Sequence, residues 1–122
     1  MPRLTLPTVL GAFALGSSAI AAAPEHAFIE QNKAAMAKMM SAMDAAPSGN
    51  IDADFVNMME PHHRGAIDMA VLELRYGTNP QLRRIAQEII VGQRQEIDAM
   101  RLAIGRPVSA AVPVPTQQEK QP

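Results

Sequence analysis

The chain has no cysteine and no tryptophan, and its aromatic residues amount to three Phe and one Tyr. Without cysteine there can be no disulfide, no thiolate metal site and no thiol nucleophile. So few rings leave little to stack on nucleic-acid bases or sugars. Charge of one sign is also lacking: the net charge is -1 and the isoelectric point about 6.3, so there is no basic excess for a phosphate backbone. No glycine-rich phosphate loop occurs. Ser41, Ser48 and Ser109 lie in helix, turn and tail contexts with no histidine near them in sequence. Nucleotide binding and triad-type hydrolysis are therefore not expected.

What is there is methionine, nine residues with the initiator in a chain of 122, long enough for one small domain. Residues 1–23 read as a cleaved secretory signal. Arg3 gives a positive start, Leu4 to Ile20 is apolar and rich in small residues, and Ala19-Ile20-Ala21 is an A-x-A cleavage site. The apolar run is short and interrupted by Pro7, which argues against a retained anchor. The mature protein is then periplasmic or secreted, with no membrane association once the signal is removed.

The domain is expected over residues 24–105, in three helices at about 24–46, 52–76 and 80–104. Pro47-Ser48-Gly49-Asn50 is a turn, with Asp52 as the expected N-cap of the second helix and Asp54 in its first turn. Pro61 lies inside that helix and should kink it. Gly77 ends it, Asn79-Pro80 caps and starts the third, and Gly105 and Pro107 stop that one. Residues 106–122, with Pro107, Pro113, Pro115 and Pro122, read as a disordered tail. The fold class is all-α: a three-helix bundle whose four-helix-type core a second copy would complete.

Two patterns carry the chemistry. Met36, Met39, Met40 and Met43 recur at helical spacing in a first helix that contains no Leu, and Ile29 and Asn32 continue the stripe. Methionine packs well, so a core stripe is one reading; four thioethers in place of every Leu suggest another. In the second helix His62 and His63 fall on a broad apolar side, with Met58 and Met59 one turn back and Met69 two turns on. The third helix has an apolar stripe of Leu82, Ile85, Ala86, Ile89, Ile97, Met100 and Ile104, interrupted by Gln93 and Glu96. A buried carboxylate needs a partner, so Glu96 and Gln93 are expected to face the histidines, either as hydrogen-bonding groups that orient the rings or as ligands. A satisfied structural His-Glu pair explains the same pattern.

These residues resemble the domain of unknown function 305 family, a ferritin-like group of exported bacterial proteins. The resemblance rests on Asp54-Phe55, Met59-x-Pro61-His62-His63, Gly65-Ala66-Ile67-Asp68-Met69-Ala70, Leu82-Arg83-x-Ile85-Ala86, Ile89-Ile90, Gln93, Glu96-Ile97 and Met100. It covers about Phe28 to Ile104. Copper or silver binding by Met and His in some members implicates Met59, His62, His63, Met69, Met100 and the first-helix methionines. Glu60 departs from the pattern, where an aliphatic residue is usual.

Thioether and imidazole together suit soft or borderline ions; Met is a poor ligand for zinc, magnesium or calcium but a good one for Cu(I) and, by the same softness, Ag(I). A thioether binds without losing a proton, so affinity persists in acid. The candidate ligands are Met36, Met39, Met40, Met43, Met58, Met59, His62, His63, Met69 and Met100, with Gln93 and Glu96 behind them. One ion cannot use all ten, so some only pack. The expected role is holding Cu(I) for copper tolerance or delivery, without catalysis, with a homodimer and a copper-handling protein as partners. Cleavage after Ala23 would also create a Pro24-Glu25-His26 amino terminus able to wrap Cu(II) in a square plane. Two other classes compete. One is a metal-free, self-associating helical module. The other is a di-metal carboxylate oxidoreductase, for which Glu60-x-x-His63 supplies a single ligand motif where two are needed.

Overall fold

The computed structural model describes residues 19–108. The residues read as signal up to Ser18, and the tail from Ser109 on, lie outside the described residues. Three α-helices make up the fold: α1 Ala19–Met43, α2 Ile51–Tyr76 and α3 Pro80–Ala103. The class is all-α, as the periodicity implies.

The boundaries follow local chemistry. α1 starts earlier than Pro24, and Pro24 lies within it. It also stops at Met43, three residues short of the expected end. Pro47 disfavours helical geometry in the residue before it, and Asp44-Ala45-Ala46 become part of the connection. The N-cap of α2 is Asn50, not Asp52: Asn50 has extended backbone angles and its side-chain oxygen accepts from the Ala53 amide at 3.0 Å. Asp54 holds the turn itself, accepting from the Ser48 amide at 2.9 Å. α3 begins as its sequence indicates, with Asn79 accepting from Gln81 and Leu82 and Pro80 at the first helical position. It ends in a Schellman motif. Gly105 sits at φ +72°, its amide donates to Leu102, and the Arg106 amide donates to Arg101.

α2 is the central element. α1 packs against it antiparallel, through a Phe28–Tyr76 edge contact, a Gln31–Tyr76 hydrogen bond, Lys38–Asp68 and the close approach of Met39 to Gly65. α3 packs antiparallel on the other side, through Arg83 to the Leu74 carbonyl, His63–Glu96 and Glu60–Arg101. No Cα of α1 lies within 8 Å of one in α3 among the described residues. At about 100° per residue, the α1-facing and α3-facing contacts of α2 fall on nearly opposite sides of it. The three helices therefore form an all-α, three-helix bundle-like fold opened into a layer, with α2 in the middle.

The main buried cluster lies between α2 and α3: Ile67, Ala70 and Leu74 against Ala86, Ile90 and Ile97; Val56 and Leu72 of α2 are also buried, outside that cluster. No described residue of α1 is buried. The α3 stripe is centred differently from the expected one. Ile90, absent from that stripe, is the most completely buried side chain, whereas Leu82, Ile85 and Ile89 are exposed. The face of α3 that meets α2 is the Ala86-Ile90-Ile97 line, rotated by roughly one residue from Leu82-Ile85-Ile89.

Candidate functional site

A layer has two faces, and here they differ. One face carries Asn57, Arg64, Asp68 and Arg75 of α2, with Lys38 and Gln31 of α1 reaching Asp68 and Arg75. On the other, α2 presents Phe55, Met59, His62, Ala66 and Met69. The flank of α1 turned away from Gln31 and Lys38 adds Ile29, Met36 and Met40. α3 adds Leu82, Ile85, Ile89 and, further along, Met100. All eight described methionines lie on this second face or border it. None is buried. Met36, Met40 and Met58 are 45 %, 59 % and 46 % exposed.

The first-helix stripe thus divides. Met39 packs on Gly65, whose missing side chain makes the approach fit: a Cβ there would lie 2.8 Å from Met39 Cγ and 3.0 Å from Met39 Cβ. Met36 and Met40 do not serve the core. The pairs Met39–Gly65 and Lys38–Asp68 set the α1–α2 register. That register places Met43 level with Pro61 and His62, and Met36 level with Met69. On the other side, Glu60–Arg101 and His63–Glu96 place Met100 level with Met59. Met100 also packs against the core cluster. Two groups result: Met43, Met58, Met59, His62 and Met100 toward one end, and Met36, Met40 and Met69 toward the other.

The two histidines do different things. His63 is buried, 7 % exposed, and both ring nitrogens are engaged. Nδ1 donates to the Met59 carbonyl at 2.7 Å, since a carbonyl can only accept. Nε2 lies 2.6 Å from Glu96 Oε2. A backbone bond at Nδ1 fixes the ring and points Nε2 outward, as in metal-ligating histidines. Glu96 occupies that outward position, so it must swing aside or act as a ligand itself before an ion can reach Nε2. His62 is exposed, with its ring 6.2 Å from that of His63 between centroids and edge-on. Its imidazole is the accessible one.

The partners expected from α3 are placed in part. Glu96 does meet a histidine, but its side chain is 61 % exposed and not a buried carboxylate. It reaches in from the rim. Gln93 is half-buried and makes no hydrogen bond among the described residues. Glu60 does not join the histidines. Arg101 grips it with a two-pronged contact, Nε to Oε2 at 2.9 Å and Nη2 to Oε1 at 2.6 Å, and Arg64 adds a bond at 2.9 Å. The Arg101 hydrogen bonds hold the Glu60 carboxyl below its usual 4.5 despite partial burial. Nothing in the sequence pairs Glu60 with Arg101 across the two helices, although Glu60-x-x-x-Arg64 is a readable helical pair. His26 is exposed, and Glu25 and His26 lie within α1.

An apolar pocket of about 260 Å³ opens on the same face, lined by Ala66, Met69 and Ala70 of α2 and Leu82, Ile85, Ala86 and Ile89 of α3, with Glu73 at its edge. Among the described residues no three His, Asp or Glu side chains converge as a metal site. A site here would have to draw on thioethers. No helix among the described residues is long and apolar enough to cross a membrane.

A family model described as a domain of unknown function, DUF305, matches residues 12–104. No curated protein matches the chain.

Proposed function

The chain belongs to the DUF305 family, and on that footing we propose that it is an exported protein that binds a soft metal ion, Cu(I) or Ag(I), through Met and His, for copper tolerance or delivery. The observation that carries this reading is the placement of methionine. Met36, Met40 and Met58 are exposed and Met43, Met59, Met69 and Met100 only half-buried, all on or beside the face that carries the exposed His62 imidazole. Packing alone would bury them, because each buried large apolar side chain stabilises by about 1.5–3 kcal/mol. Soft, neutral sulfur donors beside a neutral nitrogen donor are chemistry for Cu(I).

The group around His62 is the best candidate centre: Met58, Met59 and His62 of α2, with Met43 and Met100 at the same level. His63 and Glu96 stand behind it, and the Nε2 of His63 becomes a further donor if Glu96 releases it. Met39 is assigned to packing. The di-metal carboxylate reading has less support, because Glu60 is held by two guanidinium groups. A copper-handling protein that delivers or receives the ion remains part of the proposal.

Anaerobic Cu(I) titration against a chromophoric chelator, with native mass spectrometry, tests it. His62→Ala is the informative variant, since an exposed side chain can be removed without disturbing the fold. Tight, integral binding that His62→Ala and Met59→Leu weaken supports the reading. No competition with the chelator and an unchanged apo mass would overturn it.

A further inference from the structure

We propose that the open Met-rich face is where a second copy of this chain docks, about a two-fold axis lying across α2 near His62. The large apolar residues of this face are each between 36 % and 59 % exposed, together the equivalent of nearly four complete side chains. A contiguous apolar patch of about 300–600 Å² on a monomer is often functional. The opposite face of the layer is charged, so it is not the one a second copy would cover.

The shape of the face names the occupant. It carries one protruding ring, Phe55, and one apolar hollow, the pocket between Ala66 and Ile89. A two-fold contact requires such self-complementarity: residue i meets j and j meets i. With the two α2 helices antiparallel and the axis at His62, each residue faces the one equally far on the other side of position 62. Phe55 then lies opposite Met69, over the pocket of the other copy. The pocket, at about 260 Å³, exceeds the ~150 Å³ known to admit a benzene ring, and its alanine floor leaves room for one. His62 lies opposite His62. The dimer rests on shape and apolar area alone. Its second consequence rests on the metal-binding reading: the two imidazoles and their neighbouring thioethers share one ion, so the centre is completed by the partner.

Sedimentation equilibrium of the metal-free protein should show a dimer, weakened about 30-fold or more by Phe55→Glu and by Ile89→Glu, the size of a lost hot spot. Both positions are exposed, so circular dichroism should show intact helix. Because the chain has no cysteine, His62→Cys should oxidise to a covalent dimer, while Gln95→Cys, exposed on α3 away from this face, should not. Cu(I) should bind once per two chains. A monomer at roughly 100 μM, far above the dissociation constants of stable complexes, overturns the proposal. So does a dimer indifferent to both glutamates, or a His62→Cys protein that does not cross-link. One Cu(I) bound per chain by a monomer overturns the shared site and leaves the metal reading standing. A dimer that ignores Cu(I) removes the metal reading and leaves the docking face standing.

Discussion

Gly65→Ala is the substitution whose outcome the packing decides against propensity. Inside a helix, Ala is favoured over Gly by about 1 kcal/mol, so an exposed Gly65 would predict a more stable protein. Gly65 is buried under Met39. A Cβ there meets the Sδ of Met39 at clashing distance, Cγ at 2.8 Å and Cβ at 3.0 Å. A rotamer change can move Sδ and Cγ. It cannot move the Met39 Cβ, which the α1 backbone fixes, so α1 must retreat by a few tenths of an ångström. Overpacking costs about 1–3 kcal/mol, and among the described residues α1 has no buried side chain with which to recover it. The net expectation is a loss of about 1 kcal/mol, concentrated in the docking of α1. Urea denaturation gives the total, and amide exchange in α1 against α3 gives its location. Adding Met39→Ala should restore only part, because its Cβ remains. A Gly65→Ala protein more stable than the parent by about 1 kcal/mol would refute the placement of Met39 on Gly65.

Further outcomes follow from the same contacts. Glu60→Gln should cost about 1–3 kcal/mol at pH 7, since it weakens charged hydrogen bonds to Arg101 and Arg64. The Glu60 pKa is depressed in the folded chain, so its contribution is present above the unfolded value and is lost as pH falls through the folded one. In acid denaturation series the gap between parent and Glu60→Gln should begin to narrow below about pH 4.5 and go on narrowing as the pH falls through the depressed folded value; a gap undiminished at pH 2 contradicts the clamp. Asn50→Ala should cost about 1 kcal/mol in urea midpoint, and Asp52→Ala much less, because Asn50 is the cap. His63→Ala should lose about 2 kcal/mol or more through its cavity and the orphaned Glu96 contact, while His62→Ala stays within about 0.5 kcal/mol. Equal losses at the two histidines would contradict their different burial.

Where the chain signals its own boundaries, the sequence reads correctly. Asn79-Pro80 and Gly105 are local devices, and α3 begins and ends beside them. Asn50 and Asp52, at the start of α2, are equally good caps in isolation; only the extended backbone at Asn50 selects between them. Faces are harder. In α3, Ile85, Ile89, Ile90 and Ile97 make two overlapping stripes, and which one is buried depends on whether anything covers the other. Nothing in the described chain covers Leu82, Ile85 and Ile89, a fact about tertiary neighbours that periodicity does not carry. The same limit applies at Glu96. A carboxylate in an apolar stripe signalled a histidine partner, and His63 is that partner. Its position at the rim, with most of the side chain in water, depends on the rotation of α3 against α2, which periodicity alone does not fix.

The proposed metal binding and the proposed docking would place two demands on the same methionines of the open face, and these are compatible for a physical reason. A ligand must be reachable by its ion, and an interface residue must be sheltered from water. A long thioether with several rotatable bonds can do both, lying flat in an apolar contact or turning its sulfur toward a cation. If the ion binds across the two-fold axis, it binds the dimer better than the monomer. Mass action then stabilises the dimer by RT ln(1 + [L]/Kd), about 2.7 kcal/mol at a hundredfold excess of free ion over Kd. Reciprocity requires the dimer to bind the ion more tightly by the same factor. A centre built this way would hold Cu(I) firmly while copies are paired and release it when they part, and separation could come from a partner competing for the apolar face. Storage and delivery then differ only in what occupies that face.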